Sequence, residues 1–309
     1  MFEHTPVLLE EVLAALDVRK AGRYLDATFG RGGHTAAILQ RIGTEGAVVA
    51  IDRDPEAIRA GRERFATDER LTLMHGPFSG VAQMVKEMGM VGEFNGVLLD
   101  LGVSSPQLDD AARGFSFAQD GPLDMRMNNS TGLTAADWLA KAPEHELARV
   151  IRDFGEERFA KRIVRGIVQA RREQPLTRTL QLADVIADAV PVREPGKHPA
   201  TRTFQAIRIQ VNNEFGEIEA ALEGTLTALA PQGRLCAISF HSLEDGIVKR
   251  FMQKHSREDP VYAGLPVVPA HAQPKLRRIG RAIHPSAPEI ERNPRARSAI
   301  MRVAEKVAA

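Results

Sequence analysis

Tyr24-Leu25-Asp26-Ala27-Thr28-Phe29-Gly30-Arg31-Gly32-Gly33-His34-Thr35 runs as a short strand ending in an acid, a glycine-rich turn and the opening of a helix. The helical pattern continues through Thr35-Ala36-Ala37-Ile38-Leu39. Three glycines within four residues permit positive φ and let a backbone approach a ligand with no Cβ in the way. The next apolar run, Ala47-Val48-Val49-Ala50-Ile51, also ends in an acid, Asp52, twenty residues beyond Gly32. At that distance a carboxylate on the tip of the next strand reaches a ribose. A glycine turn alone is as compatible with an empty strand-to-helix turn as with a site. The second acid tips the balance towards a nucleoside-cofactor site on an α/β sheet.

The glycine spacing differs from the G-x-G-x-x-G of nicotinamide proteins, in which a pyrophosphate rests on the helix N-terminus. Here Asp26 stands ahead of Thr28, Gly30, Gly32 and Gly33. An anion there repels a pyrophosphate and suits a cationic ligand, such as the sulfonium and amino group of S-adenosyl-L-methionine. The pattern points to a methyltransferase over a dehydrogenase.

Strand-like and helix-like patterns alternate over the first hundred residues, which predicts a mainly parallel, Rossmann-like sheet. Val7, Leu8, Leu9, Val12, Leu13 and Leu16 predict an amphipathic helix before the first strand. Asp54-Pro55 predicts a helix start, with Asp54 as N-cap. Further apolar runs cover Leu71–Gly76, leading to Pro77-Phe78-Ser79, and Gly96–Gly102, which contains Asp100. Ligands of such sheets bind beyond the carboxyl ends of the strands, and Asp26, Asp52, Phe78 and Asp100 all fall there.

The chain of 309 residues is 43% hydrophobic and 26% charged, ordinary for a soluble globular protein of one or two domains. A net charge of +1 leaves any nucleic-acid surface to local clustering. The single cysteine, Cys236, excludes an internal disulfide framework and a multi-cysteine zinc site, and in Leu235-Cys236-Ala237-Ile238 it reads as a small core residue. No apolar stretch is long enough to span a bilayer, and Met1–Pro6 does not read as a signal peptide. A cytoplasmic protein is expected.

From Thr134 to about Asn213 the pattern is helical throughout. One helix, from about Gly155 to Glu173, sets Phe159, Ile163, Val164, Ile167 and Val168 on one face, with Lys161, Arg162, Arg165, Arg171 and Arg172 around the rest. Taken alone, that rest is a solvated basic face. The block reads as an all-helical insert, which divides the chain into residues 1–108, 109–213 and 214–309. After it come a helix at Glu214–Leu229, a turn at Pro231-Gln232-Gly233 and a buried strand at Arg234–Phe240. Ser242 and Asp245 then have capping-box spacing, and Ser298–Val303 reads as a last strand. From Lys254 onward eleven Lys or Arg face five Asp or Glu, including Lys275, Arg277, Arg278, Arg281, Arg295, Arg297 and Arg302. Such a tail beside a nucleoside site favours a polyanionic substrate, though basic tails also serve solubility.

With these residues assembled, the sequence closely resembles the bacterial small-subunit ribosomal RNA (cytosine-N4) methyltransferases, the RsmH or MraW family. HTPVLLEEVL, DATFGRGGHT, LLDLGVSSPQLDDAARGFSF, DGPLDMRM, HPATRTFQAIRIQVNNE, SFHSLED and NPRARSA follow the family's order between His4 and Ala299; Ser256–Arg292 matches only loosely. The resemblance implies a methyltransferase sheet of seven strands with an inserted helical domain. It also implies S-adenosyl-L-methionine contacts at Gly32, Gly33, His34, Asp52, Phe78, Asp100 and Gln107; no metal ligand is singled out, and whether a metal assists is not read from the sequence. His34 stands either as such a contact through its side chain or as a helix-start residue lending only its N–H. The implied reaction is methylation of the exocyclic N4 of a cytidine in the decoding region of 16S ribosomal RNA, within the small ribosomal subunit.

The acidic-or-amide Pro-Pro-aromatic motif of amino-methyltransferases is absent from Asp100–Pro106. Asp100 with the Ser104-Ser105 loop is expected to receive the target amine. His241 is a further candidate for orienting substrate or removing a proton, or else is a helix-start or core histidine. A stacked cytosine cannot enter such a pocket, so the target is single-stranded or flipped out. Phe115, Phe117 and Trp138 are candidate stacking surfaces, with Trp138 also placed for a core. A nicotinamide oxidoreductase, a non-catalytic RNA-binding module, and a methyltransferase of DNA or protein remain the alternatives.

Overall fold

Leucine spacing before the first strand produces α1 (Leu9–Ala15), which buries Val12 and Leu13. β1 (Arg23–Asp26), α2 (Gly33–Arg41), β2 (Ala47–Asp52), α3 (Pro55–Arg64), β3 (Leu71–His75), α4 (Val81–Glu87) and β4 (Phe94–Asp100) then alternate along the chain. Asp54 caps α3 as its sequence predicts: the side chain accepts the Glu56 N–H at 3.0 Å, and Pro55 opens the helix. This computed structural model describes residues 6–192, 196, 198–258, 260–262, 269 and 272–308. Met1–Thr5 and part of the loosely matching Ser256–Arg292 segment lie outside the described residues.

Next come α5 (Ser105–Asp109), α6 (Ala135–Lys141), α7 (Glu144–Asp153), α8 (Ala160–Glu173), α9 (Thr179–Ala189) and α10 (Thr201–Asn212). They build a core of their own, including Leu123, Met125, Trp138, Leu147, Ile151, Ile163, Ile167, Leu182, Ile186, Phe204 and Ile207. Trp138 belongs to that core, and its indole N–H reaches Glu146 Oε1 at 3.2 Å. The helix expected from about Gly155 starts at Ala160 instead. Glu156 has φ +49°, and a Cβ on Gly155 would stand 2.7 Å from the Arg202 carbonyl oxygen, so the chain breaks between α7 and α8.

The chain continues through α11 (Glu214–Ala228), β5 (Leu229–Ser239), α12 (Ser242–His255), β6 (Leu276–Ile283), α13 (Ala287–Arg292) and β7 (Ile300–Lys306). Among the described residues one sheet has the order β3-β2-β1-β4-β5-β7-β6. The first five of these are mutually parallel, and β7 runs antiparallel between β5 and β6. Contacts divide the chain into two compact units, Met1–Gly102 with Phe215–Ala309, and Val103–Glu214. The first is a Rossmann-like methyltransferase sheet, and the second is helical. Cys236 is fully buried in β5, and burial pushes its thiol up to about 12.

Three local expectations shift. The turn at Pro231-Gln232-Gly233 is an excursion inside β5, between the pairings Phe94–Leu229 and Gly96–Arg234, with Gln232 at φ +65°. The last strand begins at Ile300, after a short 3-10 turn over Pro294–Ser298. α12 is capped by His241, not Ser242, and Asp245 instead holds Arg302 through two hydrogen bonds of 2.6 and 2.8 Å.

Candidate active site

β1 pairs with β2 on one side and with β4 on the other, so the connections diverge at its carboxyl end. In an open α/β sheet that divergence leaves a crevice for a ligand. Asp52, Asp26 and Asp100 end three adjacent strands there. Backbone bonds extend the alignment beyond the strands, with Ala27 N–H to Leu98 O at 3.0 Å and Phe29 N–H to Ile51 O at 2.9 Å.

Asp26 is buried, accepting Thr35 Oγ1–H at 2.7 Å and Thr28 N–H at 3.2 Å. Burial raises its pKa, against the pull of the Thr35 hydroxyl and nearby His34. The acid ahead of the glycines therefore braces the turn and α2. Thr28 in turn accepts the Asp100 N–H through Oγ1 at 2.7 Å, tying the loop after β1 to the end of β4. Asp52 accepts Gly30 N–H at 2.7 Å and Asp54 N–H at 2.8 Å. Burial pushes its carboxyl up to about 6, although both N–H groups favour the anion. The two N–H bonds take one lone pair from each carboxylate oxygen and leave acceptor capacity on both.

His34 and Asp100 carry the site's unmet polar demand. His34 is 6% exposed, and neither ring nitrogen has a hydrogen-bond partner. Its Nε2 lies 3.6 Å from Asp100 Oδ2, while Asp100 Oδ1 is buried without a partner. Burying such groups without partners is costly, so their convergence is what a polar ligand would relieve. Phe78 follows β3 at the start of a 3-10 turn, half-buried against the sheet core, and Ser79 N–H reaches Glu217 Oε2 at 3.4 Å.

The glycines also serve the protein's own packing. Gly32 caps α2 at φ +72°, and a Cβ there would stand 2.6 Å from Phe29 and 2.8 Å from Phe65. A Cβ on Gly33 would strike the Pro6 ring. At both positions the missing side chain makes room for the protein's own packing.

His241 sits at the N-cap of α12, its Nδ1 accepting Glu244 N–H at 3.4 Å. A neutral His241 therefore holds its proton on Nε2, which lies 3.1 Å from Oε1 of the fully buried Glu244 but without hydrogen-bond geometry between them. Glu244 Oε2 accepts Phe240 N–H at 2.8 Å, fixing the turn out of β5. Glu244 and Thr28 shape this region without featuring among the sequence candidates. Glu244's signal was its place three residues after His241, the spacing of a reciprocal cap. In the helical unit, Ser104 and Gln107 form a capping box that starts α5, with Gln107 Oε1 accepting Ser104 N–H at 3.0 Å. Ser105 is the first residue of that helix. Phe117 packs on His198, ring centroids 4.6 Å apart, and on Phe204; Phe115 is buried in the helical core.

Much of the basic tail is committed internally. Glu305 binds Arg234 and Arg277, Asp245 binds Arg302, and Lys306 donates to the Leu226 and Leu229 carbonyls at 2.8 and 2.6 Å. Among the described residues no cluster of three or more His, Cys, Asp or Glu is placed to hold a metal ion. No described helix is long and apolar enough to cross a membrane.

A sequence model of a known family, described as the MraW methylase family, matches residues 1–307. The chain belongs to the MraW methylase family. Solved structures similar to this MraW methylase include a putative rRNA-methylase from Clostridium thermocellum, at 11% identity, 99% coverage of both chains and a TM-score of 0.45. An rRNA methylase from Streptococcus thermophilus matches at 12% identity over 100% of this chain and 99% of its own, with a TM-score of 0.42. A SAM-dependent O-methyltransferase from Thermotoga maritima matches at 12% over 100% of this chain and 69% of its own, with a TM-score of 0.44. The methyl donor of this MraW methylase is S-adenosyl-L-methionine.

Proposed function

We propose that this methylase transfers the methyl group to the exocyclic N4 of a cytidine in the decoding region of 16S ribosomal RNA, acting in the cytoplasm on the small ribosomal subunit. Membership of the MraW family supports an RNA methylase, and the resemblance of the long motifs supports the cytosine amine. The observation that carries the assignment of the pocket is the convergence of Asp52, His34 and the unpartnered Asp100 Oδ1 at the switch point of the sheet.

The donor set fits the cofactor. Three carboxyl groups and no Lys or Arg end β1, β2 and β4, a surrounding that favours a ligand with cationic sulfur and nitrogen. In this proposal Asp52 accepts from the ribose hydroxyls, Phe78 packs on the adenine, and the backbone of Gly32, Gly33 and His34 faces the methionine part. The resemblance assigns Gln107, with Asp100, to the amino acid portion and the transferable methyl group. When bound, S-adenosyl-L-methionine supplies an electrophilic methyl group on a cationic leaving group. The cytosine amine is a weak nucleophile because its lone pair is delocalised into the ring. Asp100 is assigned to accept an amine hydrogen bond and keep density on nitrogen as positive charge develops. Ser104 and Ser105, at the start of α5, are assigned to orient the base so that the amine lies in line for attack. His241 stands as the candidate for taking the released proton, and doing so requires it to leave its capping bond to Glu244 N–H, since Nδ1 holds its only lone pair.

The test is transfer of labelled methyl to purified small ribosomal subunits, with free rRNA, DNA and protein as controls, followed by identification of the product nucleoside. N4-methylcytidine at one site, lost in Asp100→Ala, is the expected result. Cofactor binding with no transfer to any RNA would sink the substrate assignment.

A further inference from the structure

α8 carries five cations and one acid in fourteen residues, and the acid, Glu173, is its last residue. One of the five, Arg171, turns inward and donates to the Leu139 and Ala142 carbonyls at 2.6 and 2.8 Å, closing the end of α6. The other four, Lys161, Arg162, Arg165 and Arg172, are exposed and have no hydrogen-bond or ion-pair partner among the described residues. They follow helical spacing of three, four and seven residues on the side opposite Ile163, Val164, Ile167 and Val168, over roughly 16 Å of axis. Arg158, stacked 4.7 Å over the Phe159 ring, extends the row past the helix start.

Helix stability does not account for this arrangement. Exposed cations of a solvated helix are ordinarily interleaved with acids one turn away, and like charges one turn apart repel. Lys161 and Arg162 also lie in the first turn, where the helix dipole favours acids, and α8 has no acid there. The neighbouring α7 follows the ordinary rule, with Glu144 and Glu146 in its first turn. By contrast, Arg152 and Arg178 in the same unit are each paired with an aspartate. The exposed cations of α8 share one side of the helix, and its single acid stands at the far C-terminal end.

Building on the RNA-methylase reading above, we propose that the exposed face of α8 is a docking surface for the phosphate backbone of the substrate RNA. Lys161, Arg162, Arg165 and Arg172 act as four phosphate contacts that position the strand without reading its bases. A polyanion is the partner this face complements: it neutralises charges that the protein leaves unpaired, and counterion release then drives binding.

The experiment compares the full-length wild type with the variant Lys161→Gln, Arg162→Gln, Arg165→Gln, Arg172→Gln. The probes are small ribosomal subunits and a single-stranded RNA oligonucleotide, with affinity measured across a salt series. Losing four contacts is expected to make the slope of log K against log salt shallower by about 3, from about 0.7 per contact on a single strand. KM for subunits rises while S-adenosyl-L-methionine affinity and the circular dichroism spectrum stay unchanged. A control variant, Arg152→Gln with Arg178→Gln, removes two paired cations and leaves the slope unaltered. Wild-type methylation of RNA combined with an unchanged slope and KM in the fourfold variant overturns the α8 surface alone. A wild type that binds S-adenosyl-L-methionine but neither binds nor methylates RNA overturns the underlying RNA reading as well.

Discussion

Asp52 illustrates how one carboxyl can be pulled in opposite directions by fold and ligand. Burial holds its pKa near 6, above the roughly 3.9 of an unfolded aspartate. The folded chain therefore takes up this proton first, and the group adds stability as pH falls through about 6. The proposed ribose recognition runs the other way, because the protonated acid loses its charge and one acceptor oxygen becomes a donor. Calorimetry is expected to show S-adenosyl-L-methionine affinity falling between about pH 7.5 and about pH 5, and Asp52→Asn should remove that pH step. Gly32 gives a prediction of a different kind. Gly32→Ala places a Cβ at positive φ against Phe29 and Phe65 and should cost about 2–4 kcal/mol in denaturant titration. The sequence exposed the acids at the strand ends because each closes an apolar run. It did not expose what the glycines face: Pro6, Phe29 and Phe65 reach them by tertiary packing that no local pattern encodes.

Elements were legible where periodicity and punctuation agreed. Asp54-Pro55 marks the start of α3 because cap and first-turn proline are both local chemistry. β6 was hidden because it lies at the edge of the sheet, with Arg277, Arg278 and Arg281 exposed and Gly280 at φ +65° breaking its alternation. Such charge and irregularity suit an edge strand that must not pair further, yet in sequence they resemble a basic tail. The start of α8 was misplaced because the break at Gly155 depends on the approach of the Arg202 carbonyl, 47 residues further along the chain. Within α8 two arginines of similar sequence context should behave differently. Arg171→Ala removes the charged donors that close α6 and is expected to lower unfolding stability by about 1.5–3 kcal/mol. Arg165→Ala, at the solvent, should stay within about 0.5 kcal/mol of wild type.

At the scale of the whole chain, the seven strands differ in how well they are protected. β1, β4 and β5 are paired on both sides, whereas among the described residues β3 and β6 each have one free edge. Native-state hydrogen exchange is expected to leave the amides of β1, β4 and β5 slowest, with β3 and β6 opening at lower free energy. Exchange in β3 as slow as in β4 would contradict that order. Alternating patterns made the sheet with its helical insert legible, and the resemblance of long motifs added the count of seven strands; no composition or periodicity gave the position of β7 between β5 and β6, because that placement is a matter of long-range pairing. Cys236, at the centre of the same sheet, has a practical corollary. With its thiol near 12, the reactive thiolate is on the order of one molecule in a hundred thousand at neutral pH. Maleimides and peroxide should leave Cys236 of the native chain untouched. A single cysteine introduced at a solvent-facing position such as Val91 would then carry a fluorophore alone, with no residue removed to silence the background.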